Sequence, residues 1–222
     1  MHCDWDEKRR VWVQDIIKYI PKAIIVTDEK RSCWNTSKRA WLKTLDDISA
    51  THCMVLQDDM IPSIDFLDRI SWAINKLPNH FISFRRPPSP MRWGENINDK
   101  EYPVVWKLDH EPVLVDVGPY FCGGSTVIPR QYVLDMINDC DNNIKHGDED
   151  DSRMMDYCIK NNINVIHYAP EVITHVGNQP TESLLGHDWT FHHDCNDWKE
   201  FADKLSANFP NIFNKENIFL QK

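Results

Sequence analysis

The chain lacks any hydrophobic run approaching the about 20 residues that a membrane-spanning helix needs. Its start has no signal-peptide pattern. Its seven cysteines are an odd number without a C-x-x-C pair, and several stand inside apolar runs. This usage favours reduced cysteines acting as small hydrophobic residues inside a cell. We therefore expect a cytoplasmic protein with no membrane span.

Two motifs of common enzyme classes are also missing. The sequence has no G-x-x-x-x-G-K-[ST] loop for binding phosphate groups and no G-x-S-x-G turn for a nucleophilic serine. Glycine is scarce, at seven residues, and two of them are adjacent at Gly123-Gly124. Because glycine allows the backbone to approach a neighbour closely, we expect such an approach at this pair.

Net positive charge is lacking as well, since the formal charge is −9 at pH 7. Proteins that bind nucleic acid mainly through phosphates usually carry a basic face, so this balance counts against nucleic acid as the main partner. The charge is uneven, however: residues 1–45 hold ten Lys or Arg against six acids. A local basic surface therefore stays open.

The 222 residues suffice for one α/β domain spanning the chain. Apolar runs at 23–27, 53–57 and 80–84 predict strands, and amphipathic runs at 34–45 and 62–77 predict helices between them. This alternation predicts a mostly parallel mixed sheet flanked by helices, a Rossmann-like architecture. The remaining pattern predicts helices at 5–20, 129–140, 150–161 and 194–208, and strands at 104–108, 113–117 and 164–168.

Acidic residues follow two of the predicted strands, at Asp28 and at Asp58-Asp59. Ligands of such sheets sit beyond the carboxyl ends of strands, so these acids predict one cleft. Adjacent acids are costly unless a positive charge neutralises them, as Mg²⁺ or Mn²⁺ does between carboxylate and diphosphate oxygens. The alternative is a solvated strand end followed by a helix N-terminus, where a carboxylate is favoured anyway.

Four acids occur in the segment 146–151, His-Gly-Asp-Glu-Asp-Asp, at the start of a predicted helix. Their repulsion can raise the pKa of one of them toward that of a general base, which makes Glu149, Asp150 and Asp151 catalytic candidates. The other interpretation is that Asp148 caps the helix while the remaining acids are solvated. Capping accounts for one acid and leaves the others unexplained.

Two further features are candidates. His175 ends a short apolar run; a lone histidine there is more often packed than a ligand, and it becomes a metal-ligand candidate only together with Asp59. The stretch 85–103 is a long, polar, proline-rich loop, and loops of this length are commonly functional or disordered. Its chemistry-bearing residues are Arg85, Arg86, Arg92 and Trp93.

The order of these segments resembles the GT-A glycosyltransferases, especially small members encoded by phages and viruses. The shared order is a strand with Gln-Asp-Asp at 57–59, a Gly-Gly-Ser segment at 123–125, a Gly-Asp-Glu-Asp helix start at 147–150, and a strand with His-Val-Gly at 175–177. The most similar stretch is 34–41 followed by 51–59. The likeness covers roughly residues 20–180 as a motif order.

The resemblance implies a metal-dependent glycosyltransferase that moves a hexose or pentose from a nucleotide sugar, UDP-linked by default, to an acceptor hydroxyl. Residues 1–115, approximately, would form the nucleotide-sugar half, and 116–222 the acceptor and catalytic half. Mn²⁺ or Mg²⁺ would be the cofactor. A viral origin would place the enzyme in the host cytoplasm.

The resemblance also assigns roles to residues. Asp59 and His175 would bind the metal, Asp58 would support it or contact the ribose, and Gln57 would replace the usual first acid of the D-x-D motif. Glu149 or Asp150 would match the acid that often serves as catalytic base, and the mechanism that we expect uses one of the acids at 149–151, which include Asp151. Further contacts to the nucleotide sugar are predicted at Asp28, Trp34, Arg39, Gly123, Gly124 and Ser125.

The sequence supports two kinds of acceptor about equally. A glycan or protein hydroxyl suits an acidic chain with nine tryptophans, because sugars stack on aromatic faces. A hydroxymethylated pyrimidine of phage DNA suits the basic residues of 8–43 and the loop residues Arg85, Arg86, Arg92 and Trp93. Two other classes stay open: a nucleotidyltransferase or metal phosphoesterase using the same acids, and a non-catalytic nucleotide-sugar-binding module.

Overall fold

The computed structural model describes residues 9–10, 13–14, 16–17, 20–62, 65–85, 112–116, 118–119, 121, 123–169 and 172–175. The helices are α1 (Cys33–Lys43), α2 (Phe66–Lys76), α3 (Val133–Asn142) and α4 (Asp150–Lys160). The strands are β1 (His52–Met54), β2 (Met60–Pro62), β3 (Phe81–Ser83), β4 (Val113–Asp116), β5 (Thr126–Pro129), β6 (Val165–Ala169) and β7 (Ile173–His175). Short 3₁₀ turns occupy Thr44–Asp46, Arg130–Tyr132 and Ile144–His146.

Five of these strands form one sheet in the order β1-β5-β3-β6-β4. The pair β3–β6 is parallel, whereas β1–β5, β3–β5 and β4–β6 are antiparallel. The prediction of an α/β fold with a mixed sheet and helices is therefore confirmed. The prediction that the sheet is mostly parallel is wrong for the described strands. The reason is that β5 inserts between β1 and β3, a long-range pairing that periodicity along the chain does not encode.

Hydrophobic clusters cover both faces of the sheet, because successive side chains of a strand point to opposite faces. Phe81 and Ile128 belong to one cluster, and their neighbours Ile82 and Val127 belong to the other. Residues of α1, α3 and α4 complete the first cluster, and residues of α2 complete the second. The sheet is thus the middle layer between helices.

A second, two-stranded sheet positions the turn that follows β1. Strand β2 pairs antiparallel with β7, and the register sets Met60 opposite His175. Because Met60 directly follows Asp59, this pairing brings the backbone of His175 next to the acidic pair. The prediction that a helix follows this pair from Pro62 is corrected by the structure, where α2 begins at Phe66.

The other elements predicted from the sequence have mixed outcomes. The predicted buried strand at 23–27 is wrong: residues 23–26 have no strand structure, Thr27 forms a single bridge, and Ile24 and Ile25 are 58% and 45% exposed. Residues 9–10, 13–14 and 16–17 are helical, as expected within 5–20, with Val13 and Ile16 buried. The elements predicted at 104–108 and 194–208, and the loop 86–103, lie outside the described residues.

Membrane insertion has no candidate segment in the part of the chain that the structure describes. None of the helices there combines the length and the apolar character required to span a bilayer.

Candidate functional site

Asp58 and Asp59 lie in a tight turn between β1 and β2. The amide of Met60 donates a hydrogen bond to the carbonyl of Gln57 at 3.1 Å, which closes the turn around the two acids. No helix begins directly after them, since α2 starts at Phe66. The helix N-terminus offered as an alternative explanation therefore does not account for this acidic pair.

The two carboxylates are buried and share one cation. Asp58 is 3% exposed and Asp59 is 5% exposed. Nη1 of Arg9 lies 2.6 Å from Oδ1 of Asp58, and Nη2 lies 2.9 Å from Oδ2 of Asp59. Burial of two negative charges requires such compensation, because each loses its hydration. The turn is therefore a site that holds positive charge.

The glycine pair joins this turn to the start of α4. A Cβ atom added to Gly124 would lie 2.8 Å from Cγ of Gln57, and one added to Gly123 would lie 2.6 Å from Oδ1 of Asp151. The amide of Gly123 donates a hydrogen bond to that same oxygen. The expectation of a close backbone approach at Gly123-Gly124 is confirmed, and a side chain at either position would require its neighbour to shift.

The surroundings of Asp151 raise the pKa of its carboxyl. Burial and the charge of Asp150 raise its pKa to about 7, and the charge of Asp59 adds to this rise. The amide of Gly123 and the charge of Arg85 act in the opposite direction. These influences place Asp59, Asp150 and Arg85 around Asp151 and make it a carboxyl that titrates near neutral pH.

Asp150 lies deeper and is held by its neighbours. It is 5% exposed, and Sγ of Cys33 donates to its Oδ1 at 3.2 Å. Burial raises the pKa of Asp150, while hydrogen bonds to its carboxylate oppose the rise. Burial together with the charge of Asp150 also raises the pKa of the Cys33 thiol, so this cysteine is a neutral hydrogen-bond donor and not a thiolate nucleophile.

The other two acids of this segment do not face the cluster. Glu149 is exposed and accepts a hydrogen bond from Oγ of Ser152 at 2.9 Å, so the structure does not bring it to the predicted catalytic position. Asp148 caps a helix, but the helix is α1 and not α4. Its carboxylate accepts from Oγ of Ser32 and from the amides of Cys33 and Trp34. The prediction that Asp148 caps its own helix is wrong.

Two residues predicted to contact the nucleotide sugar, Asp28 and Arg39, make hydrogen bonds within the protein close to α1. Oδ1 of Asp28 accepts from the amides of residues 30 and 32 at 3.2 Å, which shapes the turn before α1. Arg39 binds the carbonyl of Thr27 at 3.2 Å and, at 2.9 Å, the carboxylate of Glu29. These contacts place Asp28 and the guanidinium of Arg39 on the same side of the molecule, beside the start of α1.

Trp34 is 7% exposed and belongs to the hydrophobic cluster of α1, α3 and α4. Its indole N–H donates to Asp141 at 3.0 Å, and the guanidinium of Arg153 lies 5.3 Å from its ring centroid. The structure therefore gives Trp34 a packing role, and the predicted contact with a nucleotide finds no support in this position.

Some of the remaining predicted site residues lie in the described part of the chain, and others do not. Ser125 is fully buried, and its carbonyl accepts the amide of Phe84 at 3.0 Å, so it lies beside the end of β3 that leads to Arg85. The backbone of His175 lies opposite Met60, and its side chain is outside the description. Arg86, Arg92 and Trp93 lie outside the described residues.

Arg9 is the residue that the sequence did not reveal. It is 49 residues from Asp58 along the chain, and it sits among other basic residues with no motif around it. Its contact depends on how the N-terminal helical residues dock on the sheet. The asymmetry of charge within residues 1–45 was the available signal, and it did not single out Arg9.

Comparison with known proteins gives no match to a family model and none to the curated proteins. The chemistry of the site therefore carries the functional conclusion. The described residues gather a buried acid pair that holds the guanidinium of Arg9, a glycine pair, and a carboxyl that titrates near neutral pH. Such an arrangement can bind an oxygen-rich anion through a hard cation and accept a proton beside it.

Proposed function

We propose that the chain is a metal-dependent glycosyltransferase that moves a sugar from a nucleotide sugar to an acceptor hydroxyl. The observation that carries this proposal is the meeting of the Asp58-Asp59 turn, the glycine pair and Asp151 at one site. Sugar transfer needs a stabilised diphosphate leaving group and a base for the incoming hydroxyl. The acid pair serves the first need, and Asp151 serves the second.

The two carboxylates of the turn are ligands of the kind that a hard cation prefers. Asp58 and Asp59 are carboxylates that already hold the positive charge of Arg9, and Mg²⁺ and Mn²⁺ prefer oxygen ligands of this kind. His175 is the candidate third ligand, because its backbone lies opposite Met60. When bound, the cation would neutralise charge on the diphosphate of the nucleotide sugar.

Asp151 would act as the general base. A carboxyl with a pKa of about 7 is partly ionised at neutral pH, and it binds a proton more strongly than an ordinary aspartate. The amide of Gly123 fixes the orientation of its carboxylate. If Asp151 takes the proton of the acceptor hydroxyl directly, attack at the anomeric carbon inverts the configuration of the sugar.

The substrates follow from the same proposal. UDP is the nucleotide that we assign, and Asp28 and Arg39 mark the side where its nucleoside would lie. The acceptor is a glycan or protein hydroxyl, or a hydroxymethylated pyrimidine in phage DNA. The charge of Arg85 acts on Asp151, so Arg85 would be available to contact an acceptor that approaches the base.

The test is a panel of nucleotide sugars incubated with the protein, with and without Mn²⁺. Metal-dependent release of a nucleoside diphosphate from one donor supports sugar transfer and names that donor. Release of a nucleoside monophosphate would instead assign the chain to nucleotidyl transfer or phosphoester hydrolysis. Tight binding of a donor without release of product would indicate a non-catalytic nucleotide-sugar-binding module. Glycans and hydroxymethylated DNA are then screened as acceptors.

A further inference from the structure

Arg9 occupies the position that a divalent cation would need. Its two terminal nitrogens contact different carboxylates, at 2.6 Å for Asp58 and 2.9 Å for Asp59. The guanidinium side chain is only 11% exposed, so these contacts form away from bulk water. A cation that binds both carboxylates therefore competes with the guanidinium for the same oxygens.

A cavity lies beside the described helical residues that follow Arg9. This cavity has a volume of about 390 Å³ and is lined on the N-terminal side by Val13, Ile16, Ile17 and Ile20. The opposite wall comes from β1, the residues after it and the start of α2, and the cavity extends to Gln57 and Asp58. Side chains that border a cavity have fewer contacts to lose when they move, so these lining residues can shift at a lower cost than close-packed ones.

We infer that Arg9 is a built-in counter-ion of the acid pair, which a divalent cation displaces from the two carboxylates. The inference rests on the proposed cation site and adds its regulation. Without metal, Arg9 neutralises Asp58 and Asp59 and occupies their oxygens. With metal, the guanidinium leaves, and the described helical residues 9–10, 13–14 and 16–17 lose this anchor to the acid pair.

The test measures Mn²⁺ binding by electron paramagnetic resonance, without any nucleotide sugar, in the wild type, Arg9→Ala and Arg10→Ala. Arg10 is the matched control, since it is exposed on the same helical segment and its replacement removes the same charge. We expect Arg9→Ala to lower the Kd for Mn²⁺ by at least about tenfold, because the guanidinium that competes for the two carboxylates is gone. Arg10→Ala stays near the wild-type value, and Arg9→Lys falls between.

A second measurement needs no variant and applies even if Arg9→Ala fails to fold. Hydrogen exchange of the wild-type amides in 9–20 is followed with and without Mn²⁺. Faster exchange with Mn²⁺ supports displacement, whereas unchanged or slower exchange overturns it. An unchanged or higher Kd in folded Arg9→Ala overturns it too, as does absence of Mn²⁺ binding in both proteins. Because no donor is present, this result is independent of the turnover assay that tests the proposed function.

Discussion

The backbone amide of Gly123 donates a hydrogen bond to the carboxylate of Asp151, which joins two segments 28 residues apart. The neighbouring Gly124 packs against the side chain of Gln57. The glycine pair is therefore the bridge between the acid pair and α4. Substitutions at this bridge test whether the two acidic segments work as one site.

Gly123→Ala places a methyl group 2.6 Å from Oδ1 of Asp151 and 2.7 Å from Cε of Met154. We expect a loss of stability of about 1–3 kcal/mol from overpacking and a near-complete loss of turnover. Gly118→Ala is the comparison: its φ is +70° with open space around the added carbon, so it costs about 1 kcal/mol and leaves turnover intact. Urea unfolding and the donor assay measure both quantities. Equal turnover in the two variants would contradict the bridging role.

Asp151 predicts a pH dependence of stability. Its pKa is about 7 in the folded protein, above the roughly 4 of an unfolded aspartate, so the folded state binds the extra proton between these values. Stability from this group is therefore present below about pH 4 and is lost as pH rises to about 7.

Asp151→Asn removes that loss. We therefore expect its free energy of unfolding, relative to that of the wild type, to be higher at pH 8 than at pH 5. Urea unfolding in the presence of a chelator measures the difference at both pH values. Asp68→Asn, an exposed aspartate on α2, controls for the loss of one negative charge. A difference between wild type and Asp151→Asn that is the same at pH 5 and pH 8 would show that Asp151 titrates normally.

Asp148 predicts a purely structural effect. Its carboxylate accepts hydrogen bonds from Ser32 and from two amides at the start of α1, so Asp148→Ala should cost about 1–2 kcal/mol. The double variant with Ser32→Ala should lose less than the sum of the single losses, since the two side chains share a bond. Chemical denaturation of the four proteins measures this coupling. Strict additivity would contradict a shared cap.

Trp34 distinguishes packing from nucleotide binding. Trp34→Phe removes the N–H that bonds Asp141 and weakens the contact with Arg153, so we expect a stability loss of about 1–3 kcal/mol. The KM for the donor should stay unchanged, because the side chain lies in the core. A raised KM at unchanged stability would restore the role that the resemblance implied for Trp34.

Local patterns predicted most of the described elements, and long-range pairings account for the misses. The periodicity of 34–45 located α1, whose Trp34 and Trp41 face inward. The run at 23–27 is equally apolar, but Ile24 and Ile25 lie at the surface, and no local feature distinguishes it from a buried strand. The motif order predicts one site from the acid pair, the glycine pair and the acidic helix start, but it does not single out Asp151. The ion pair of Arg9 was not predicted, because it depends on docking.

The most direct test uses the donor that the panel identifies and compares the wild type with Asp59→Asn and Asp68→Asn. The substitutions remove the same charge, one from the buried turn and one from an exposed position on α2. We predict that Mn²⁺-dependent release of nucleoside diphosphate falls at least about a hundredfold in Asp59→Asn, as expected for loss of a cation that stabilises the leaving group. Asp68→Asn should match the wild type. Equal release by all three proteins would place the chemistry elsewhere and contradict the assignment of Asp58 and Asp59 as its cation site.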